Sequence, residues 1–411
     1  MKQIKMMVAM MLLVSTATYA QQHVTIQVTN PSKFQLSAQP VVVDLGKYSQ
    51  QTIKSAVVTC DGVEVPSQLD DLNGDGRYDE LSFVTDLARK QQRSFSIQLL
   101  PEGTPRQYPA QVYADMMMHN NKVKASNKQD LYISSLTVER GSDVYSMLHH
   151  HGPAFESDLV AYRIYFDRRQ TVDIYGKNRQ GLELHDTQFY PDKQQKVAGY
   201  GDDILWVGET LGVGTLRGWD GIQPVMLDDL DSRTLRILSR GPVRTVIEVI
   251  DKNWNTGNAG KSTVDMTTRY TLYAGHRDCF VDVHYSHPVT GYQFATGIIN
   301  VKNSTEYSDH EGLRGCWGTD WPVSEKDSAG HKRETVGLGI CIPQQYVEQE
   351  LPANKDNYAF VVGNMGTDFQ YAITFCSDNE TWAGSCHSAK DWYQSLKDWK
   401  QQVSLRNSFR Y

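Results

Sequence analysis

The sequence predicts an all-β protein with one helix near its C-terminus. Short runs of alternating apolar and polar residues recur along the 411 residues, and turn-forming residues separate them. Alternating helix and strand units, which would indicate a parallel doubly wound sheet, do not occur. The length suggests two domains, or one large β domain with a small companion.

Residues 1–20 have the pattern of a secretory signal peptide. Lys2 and Lys5 precede an apolar run at residues 6–14, and small residues lead to Ala20, where we expect cleavage. The run is too short to span a membrane, and no later segment has about eighteen uninterrupted apolar residues. We therefore expect a protein without membrane insertion that is periplasmic or secreted.

Residues 21–104 are predicted to form a small β-sandwich of immunoglobulin-like size. The predicted strands are residues 23–28, 40–45, 55–60, 63–69, 80–87 and 94–100. Residues 101–105, with the sequence PEGTP, are typical of a linker, so we place the domain boundary there.

Residues 108–411 continue the strand pattern on a larger scale. Predicted strands include residues 159–166, 171–175, 244–250, 267–273, 279–284 and 371–376. Near the C-terminus one apolar stripe at helical spacing contains Trp392, Leu396, Trp399 and Val403. This stripe predicts a helix that packs on the sandwich.

Composition argues against several classes of function. The chain has 41 basic and 48 acidic residues and no basic cluster, so nucleic acid is not an expected partner. The six cysteines lack C-x-x-C spacing, which gives no support to metal knuckles or thioredoxin-like chemistry. Cys376 and Cys386 form the most plausible local disulfide, and buried free thiols are the alternative. The sequence does not indicate an oligomeric state.

Residues 71–79 match the front half of a calcium-binding loop. Side-chain oxygens recur about every second residue, at Asp71, Asn73, Asp75 and Asp79. The twelfth position holds Ser82 instead of the bidentate Glu, and no helices flank the loop, so it is not an EF-hand. The sequence is compatible both with a structural calcium site and with a polar hairpin closed by Asx turns. We expect no cofactor for catalysis.

Residues 149–220 carry a dense set of titratable, hydrogen-bonding and aromatic side chains. Such a set suits a sugar, which offers hydroxyls to polar groups and C–H faces to aromatic rings. His150 and His151 lie in a loop before the strand at residues 159–166, and we predict acid–base roles for them. Metal binding and plain hydrogen bonding are the alternatives, because the histidines have no H-E-x-x-H or H-x-H frame.

One face of the predicted strand at residues 159–166 is polar and adds to this set of side chains. Arg163, Tyr165 and Asp167 share this face. Arg163 is predicted to bind a sugar carboxylate and Tyr165 to move a proton, with a surface ion pair between Arg163 and Asp167 as the alternative. Further predicted substrate-binding residues are Glu156, Asp203, Trp206, Arg217 and Trp219, although the tryptophans are equally expected in a core.

Residues 308–321 repeat this composition much later in the chain. His310 is flanked by carboxylates, which can fix its tautomer and raise its basicity, so we predict a catalytic role for it. Glu311 and Trp317 are predicted to bind substrate. We expect this loop to form the wall opposite residues 149–220.

One set of motifs is specific to a family. It comprises residues 162–167, 173–177, 201–208 and 211–214, and Asp75-Gly76 with Asp79-Glu80-Leu81. These motifs resemble exported Bacteroidota proteins that are known as a domain of unknown function and are often encoded in polysaccharide-utilisation loci. The resemblance covers essentially the mature chain and implies a large antiparallel super-sandwich of the galactose-mutarotase-like type. That scaffold also occurs in polysaccharide lyases and glycoside hydrolases, but the resemblance carries over no catalytic residue.

Our leading hypothesis is an exported carbohydrate-active enzyme that cleaves uronate-containing oligosaccharides or polysaccharides by β-elimination. Arg163 would hold the carboxylate with help from His150 or His151, and Tyr165 or His310 would move the C5 proton. Glycoside hydrolysis is the close alternative and needs a carboxyl pair about 5 to 10 Å apart. The available carboxyl groups are Glu156, Asp203, Asp309 and Glu311. A non-catalytic glycan-binding or mutarotase-like protein is the third hypothesis.

Overall fold

The structure is a computed structural model that describes residues 22–48, 52–119, 131–257 and 263–411. The predicted signal peptide lies outside the described residues. Strands dominate the regular structure, and a helix lies near the C-terminus, so the predicted all-β fold is confirmed. None of the described helices is long and apolar enough to cross a membrane.

The first seven strands form two small antiparallel sheets. These strands are β1 (Gln22–Thr29), β2 (Leu36–Asp44), β3 (Ser55–Cys60), β4 (Val63–Val65), β5 (Ser67–Asp70), β6 (Glu80–Leu87) and β7 (Gln92–Leu100). One sheet has the order β1-β7-β3-β4 and the other β2-β6-β5. Their apolar faces share one core, in which the rings of Phe83 and Phe95 lie 4.8 Å apart. The predicted strand at residues 63–69 is two strands, which separate at Pro66 because proline cannot donate to a ladder.

The described residues after β7 contain the larger sheets and three α-helices. The strands are β8 (Val112–Asp115), β9 (Met117–Met118), β10 (Leu131–Tyr132), β11 (Ser135–Glu139), β12 (Ala154–Ser157), β13 (Ala161–Ile164), β14 (Val172–Gly176), β15 (Asp202–Asp203), β16 (Arg217–Trp219), β17 (Pro224–Val225), β18 (Ser232–Arg240), β19 (Arg244–Asn255), β20 (Thr263–Tyr273), β21 (Cys279–Tyr285), β22 (Phe294–Ile299), β23 (Thr305–Ser308), β24 (Leu313–Asp320), β25 (Glu334–Cys341), β26 (Val347–Glu350), β27 (Asn357–Val362) and β28 (Asp368–Ser377). The α-helices are α1 (Leu184–Thr187), α2 (Lys193–Val197) and α3 (Ala389–Val403). Short 3-10 helices span Leu45–Tyr48, Tyr145–Met147, His149–His151, Glu325–Asp327, Gln344–Tyr346 and Arg406–Phe409.

A nine-stranded antiparallel sheet is the largest element of the fold. Its order is β11-β18-β19-β20-β21-β28-β25-β24-β23, and it packs against two five-stranded sheets, β15-β14-β13-β12-β8 and β17-β16-β22-β27-β26. One continuous apolar core joins the three sheets. Within it the ring of Tyr162 in β13 lies 5.1 Å from that of Phe375 in β28. The large part of the chain is therefore a sandwich of one wide sheet against two narrower ones. The predicted domain boundary at residues 101–105 stays a prediction.

Helix α3 covers part of the other face of the nine-stranded sheet. Its predicted apolar stripe is confirmed, because Trp392, Leu396 and Trp399 are buried there. Glycines in the strands below let the helix come close: a Cβ atom on Gly315 would lie 2.2 Å from Leu396, and one on Gly339 would lie 2.5 Å from it. Side chains of α3 thus pack directly against the backbone of the sheet.

All six cysteines are buried and none is bridged. The predicted partners Cys376 and Cys386 lie in the same apolar cluster beneath α3. Of the two alternatives that the sequence left open for this pair, a disulfide and buried free thiols, the structure has the free thiols.

The segment that contains α1 and α2 covers the outer face of the sheet β15-β14-β13-β12-β8. Leu184 and Phe189 from this segment pack on Ala154, Ala161 and Tyr175 of the sheet. The sequence patterns did not predict these short helices. They matter because they enclose polar side chains of β13 and β14 between sheet and cover.

Candidate functional site

The hairpin of β13 and β14 builds the centre of the candidate site. Arg163 lies opposite Asp173 in the ladder, and its guanidinium donates to Asp173 Oδ2 at 2.6 Å and to Asp203 Oδ2 at 2.8 Å. It also donates to the hydroxyls of Tyr190 at 2.8 Å and Tyr165 at 3.0 Å. Arg163 is buried. One cation therefore holds two carboxylates and two phenols in a fixed arrangement, which we call the Arg163 cluster.

Asp203 is the carboxyl group of the Arg163 cluster that reaches solvent. Its side chain is 17% exposed, whereas that of Asp173 is fully buried. Burial raises the pKa of Asp203 to about 7; the charge of Arg163 opposes this rise, and that of Asp173 adds to it. Near neutral pH Asp203 is thus divided between carboxylic acid and carboxylate, so it can donate or accept a proton.

His149 borders the Arg163 cluster with an imidazole that stays neutral. Its ring centroid lies 6.2 Å from that of Tyr190 and 4.8 Å from that of His119. Burial, together with the neighbouring His150 and His119, lowers the pKa of His149 to about 4. At neutral pH the ring therefore offers one donor and one acceptor.

His150 and His151 have different surroundings. His150 is fully buried, with Nε2 at 3.2 Å from Asp115 Oδ1, so it does not face a substrate. His151 is partly buried and stacks on Tyr145, with ring centroids 3.8 Å apart. It lies 6.0 Å from the ring of Tyr165, and burial lowers its pKa. The catalytic role predicted for His150 is therefore corrected to an internal one, and that of His151 stays a prediction.

Four residues beside the Arg163 cluster have left-handed backbone conformations. The φ angles are 36° at His150, 68° at His151, 47° at Gln188 and 70° at Phe189. Each such residue costs roughly 1–3 kcal/mol, and strain of this kind concentrates at functional sites. The two strained turns face each other, since the rings of His150 and Phe189 lie 6.2 Å apart. Strain and titratable groups thus mark the same place.

The structure brings together three of the sequence-predicted site residues. Arg163, Tyr165 and Asp203 are joined by direct hydrogen bonds. The role of Arg163 changes, however, because its guanidinium is occupied by internal acceptors and lies 4.1 Å from the ring centroid of Phe189. It holds the cluster and has no free pair of donors for a substrate carboxylate. Trp206, which is 49% exposed, stays a predicted stacking platform.

Glu156 and Arg217, which the sequence predicted to bind substrate, instead make contacts that hold the fold together. Glu156 is fully buried and accepts from Lys177 Nζ at 2.5 Å and from the backbone of Leu184 at 2.8 Å. Arg217 is buried and donates to Thr171 Oγ1 at 3.0 Å; burial lowers its pKa to about 10. Both side chains are buried and engaged by partners inside the fold, so the substrate-binding roles predicted for them are corrected to structural ones. Trp219, at the end of β16, lies in the other five-stranded sheet.

The loop at residues 308–321 does not form the expected opposite wall. His310 is 82% exposed, and its Nδ1 lies 3.1 Å from Glu350 Oε2. Glu311 is exposed beside Lys400 of α3, and Trp317 packs on the α3 side of the wide sheet. Across the described part of the chain, no hydrogen bond, ion pair or ring contact joins this loop to the Arg163 cluster. His310, Glu311 and Trp317 are therefore separate from the candidate site.

The calcium-like loop closes on itself between β5 and β6. The carboxylate of Asp71 accepts the backbone N–H groups of Gly74 at 2.6 Å and Gly76 at 2.8 Å. Asn73, Asp75 and Asp79 accept further backbone N–H groups of the loop. The Asx turns that the sequence allowed are thus present, and calcium binding stays a prediction. Among the residues that the structure describes, no three His, Cys, Asp or Glu side chains are placed to hold a metal ion.

Comparison with known proteins gives the chain a family. A family model described as a domain of unknown function, DUF4861, matches residues 28–406. The chain belongs to this family. No curated protein matches it.

The DUF4861 chain is also similar to two solved structures from Enterococcus faecalis. One is an alpha-mannosidase from strain V583, with 10% identity and a TM-score of 0.41, over 93% of this chain and 45% of that one. The other is a protein in the Glycosyl Hydrolase Family 38, with 10% identity and a TM-score of 0.43, over 92% of this chain and 46% of that one. The DUF4861 chain spans less than half the length of either structure.

Sequence reasoning missed several residues of the candidate site in this DUF4861 chain. Asp173 lies directly across from Arg163, so pairing the predicted strands 159–166 and 171–175 as a hairpin would have found it. Asp115 and Tyr190 gave no such signal, because they come from other segments and meet the hairpin only in the folded chain.

Proposed function

We propose that this protein is an exported carbohydrate-active enzyme that cleaves uronate-containing oligosaccharides by β-elimination. One observation carries the proposal: Arg163 binds Asp203 and Tyr190 together, beside the neutral ring of His149. Asp203 has a pKa of about 7, and Tyr190 is 47% exposed. Asp203, which can donate a proton to a substrate carboxylate, and Tyr190, which can transfer a proton, therefore lie together on an accessible face.

The assigned task of Asp203 is to neutralise the substrate carboxylate. In β-elimination a base removes the C5 proton, a C4=C5 double bond forms and the C4–O4 bond breaks. The C5 proton becomes acidic enough when the uronate carboxylate accepts a strong hydrogen bond, because negative charge develops there. The protonated form of Asp203 can donate that bond, as other carboxylic acids do when an apolar site keeps them neutral.

Tyr190 and His149 are the groups assigned to proton transfer. Arg163 Nη1 donates to the Tyr190 oxygen at 2.8 Å, which favours the phenolate at the moment of transfer. Burial raises the pKa of Tyr190, and Arg163 opposes that rise. The neutral imidazole of His149 removes the C5 proton, and the phenol of Tyr190 protonates O4 as the C4–O4 bond breaks. Tyr190 takes the role predicted for Tyr165, since Tyr165 is buried and its hydroxyl donates to Asp173 at 2.7 Å.

Hydrolysis by a carboxyl pair is the competing function. It requires two carboxyl groups about 5 to 10 Å apart that both reach the substrate. Asp173 and Glu156 are fully buried, and Asp309 and Glu311 belong to the separate loop. In the described residues Asp203 is thus the accessible carboxyl group that contacts Arg163, which favours elimination over hydrolysis.

The substitution Asp203→Asn separates the two chemistries. Asn keeps an N–H donor for the substrate carboxylate, so an eliminating enzyme retains activity and loses its decline above about pH 7. A hydrolase that needs the proton of Asp203 loses about 10²- to 10⁴-fold in kcat. The assay is the ultraviolet absorbance of the C4=C5 double bond, measured together with new reducing ends on uronate oligosaccharides.

Asp202→Asn is the matched control. Asp202 precedes Asp203 but binds Lys196 at the surface, so its loss should leave the products and the turnover at acidic pH unchanged. The charge of Asp202 also adds to the raised pKa of Asp203, so its loss should move the decline of activity to a slightly lower pH. Reducing ends without new absorbance would overturn elimination in favour of hydrolysis. Stabilisation by uronate oligosaccharides without any product would instead establish a binding protein.

A further inference from the structure

We propose that Asp115 is the positioning residue that fixes the distance between His149 and Tyr190, an inference that rests on the proposed function. Asp115 ends β8 at the edge of the five-stranded sheet and is fully buried. It touches neither of the two groups that it is proposed to position. Its charge acts on His149 across space, but its positioning effect passes through the neighbours of those groups.

The Asp115 carboxylate binds donors from two separate turns. Oδ1 lies 3.2 Å from His150 Nε2, and Oδ2 accepts from Gln188 Nε2 at 2.9 Å. The Tyr113 hydroxyl, from the same strand as Asp115, donates to Oδ2 at 3.0 Å. Burial raises the pKa of Asp115, but these hydrogen bonds outweigh burial and lower it overall. The group is therefore an anion that can serve both turns at once.

Each turn holds one of the proton-transfer groups next to a strained residue. His149 precedes His150, whose φ is 36°, and Tyr190 follows Gln188, whose φ is 47°, by two residues. A left-handed conformation persists only where surrounding contacts hold it. Asp115 supplies such a contact to both turns, so it fixes the gap between His149 and Tyr190.

Asp115 also determines the tautomer of His150. A carboxylate only accepts, so Nε2 of His150 carries the proton that it donates to Asp115. In the neutral ring the other nitrogen, Nδ1, is a bare acceptor; it is buried and has no hydrogen-bond partner in the described residues. The His150 ring lies 5.7 Å from that of His149. The tautomer thus gives a spectroscopic signature of the contact that does not depend on turnover.

The test is Asp115→Asn, followed by ring-nitrogen NMR, amide hydrogen exchange and kinetics on a uronate oligosaccharide. Asn can accept on one atom only, so we expect faster exchange at residues 148–151 and at 187–190 together, and a mixed tautomer for His150. A misplacement of about 1 Å costs about 10²-fold, so kcat should fall by about that factor while KM stays unchanged. Gln188→Leu should loosen residues 187–190 alone, since it leaves the His150 contact intact.

Asp186→Asn is the control, because Asp186 lies in the same covering segment and binds the Tyr200 hydroxyl at the surface. It should change neither exchange nor kcat. Unchanged exchange at either turn in Asp115→Asn, or loss confined to KM, would overturn the positioning role. If the unmodified protein forms no unsaturated product, the proposed function fails, while the exchange and tautomer results still decide whether Asp115 holds both turns.

Discussion

Substitutions that break the buried ion pair of Glu156 and Lys177 should destabilise the fold, because this pair has a structural role and does not bind substrate. Both side chains are completely buried, and their charged atoms are 2.5 Å apart. Lys177 also donates to the carbonyl oxygens of Ser157 at 2.6 Å and Gly181 at 2.5 Å. The Glu156 carboxylate accepts the backbone N–H of Leu184, at the start of α1. The pair therefore ties the covering segment to the sheet.

The size of the effect follows from burial. Removing one partner leaves an uncompensated charge in the interior, which costs roughly 3–5 kcal/mol. A domain has a total stability of about 5–15 kcal/mol, so either Glu156→Gln or Lys177→Met should lower the unfolding free energy by a large fraction. The double substitution removes both charges and should cost clearly less than the sum of the single ones.

The assay is urea unfolding of the unmodified protein, both single variants and the double variant. A lower midpoint with an unchanged denaturant slope would report lost stability, and the cycle would give the coupling energy. A purely structural role of Glu156 is contradicted if Glu156→Gln keeps the full unfolding free energy and loses binding of uronate oligosaccharides. That result would return Glu156 to the substrate-binding role that the sequence predicted.

Three further predictions concern other parts of the molecule. If the loop at residues 71–79 holds calcium, a chelator should lower the melting temperature; a value insensitive to chelator contradicts the prediction. Trp206→Ala should raise KM by up to about tenfold with kcat unchanged, because a stacking contact is worth about 0.5–1.5 kcal/mol, and an unchanged KM argues against stacking. His276 lies 2.8 Å from both Asp278 Oδ1 and the Ala38 carbonyl oxygen, two acceptors that only an imidazolium can serve. Burial opposes that charge, but Asp278 raises the pKa of His276 overall. The stabilisation is complete below the ordinary histidine pKa of about 6.5 and is lost as pH rises through the raised value, so the unfolding free energy should fall as pH rises above that ordinary value. His276→Gln should flatten this slope, and an equal slope in both proteins excludes the contact as its source.

Much of the architecture was predictable because its signals are local. Strands β3 and β6 have the bounds that alternation predicted, and the spacing of Trp392, Leu396 and Trp399 placed α3. The short helices α1 and α2 were missed because four or five residues give no helical period. Their position depends on the sheet that they cover.

For the candidate site, the pattern of residues was enough to place Arg163, Tyr165 and Asp203 in one polar region. It could not determine that Arg163 is neutralised by its neighbours, or that Tyr190 and not Tyr165 faces solvent. The shared composition of residues 308–321 suggested a second wall that the fold does not build. Side-chain chemistry and periodicity are properties of a segment, so sequence shows them. Burial and pairing of a charge depend on residues that meet only after folding, so the groups that are free to act can be identified only in the folded chain.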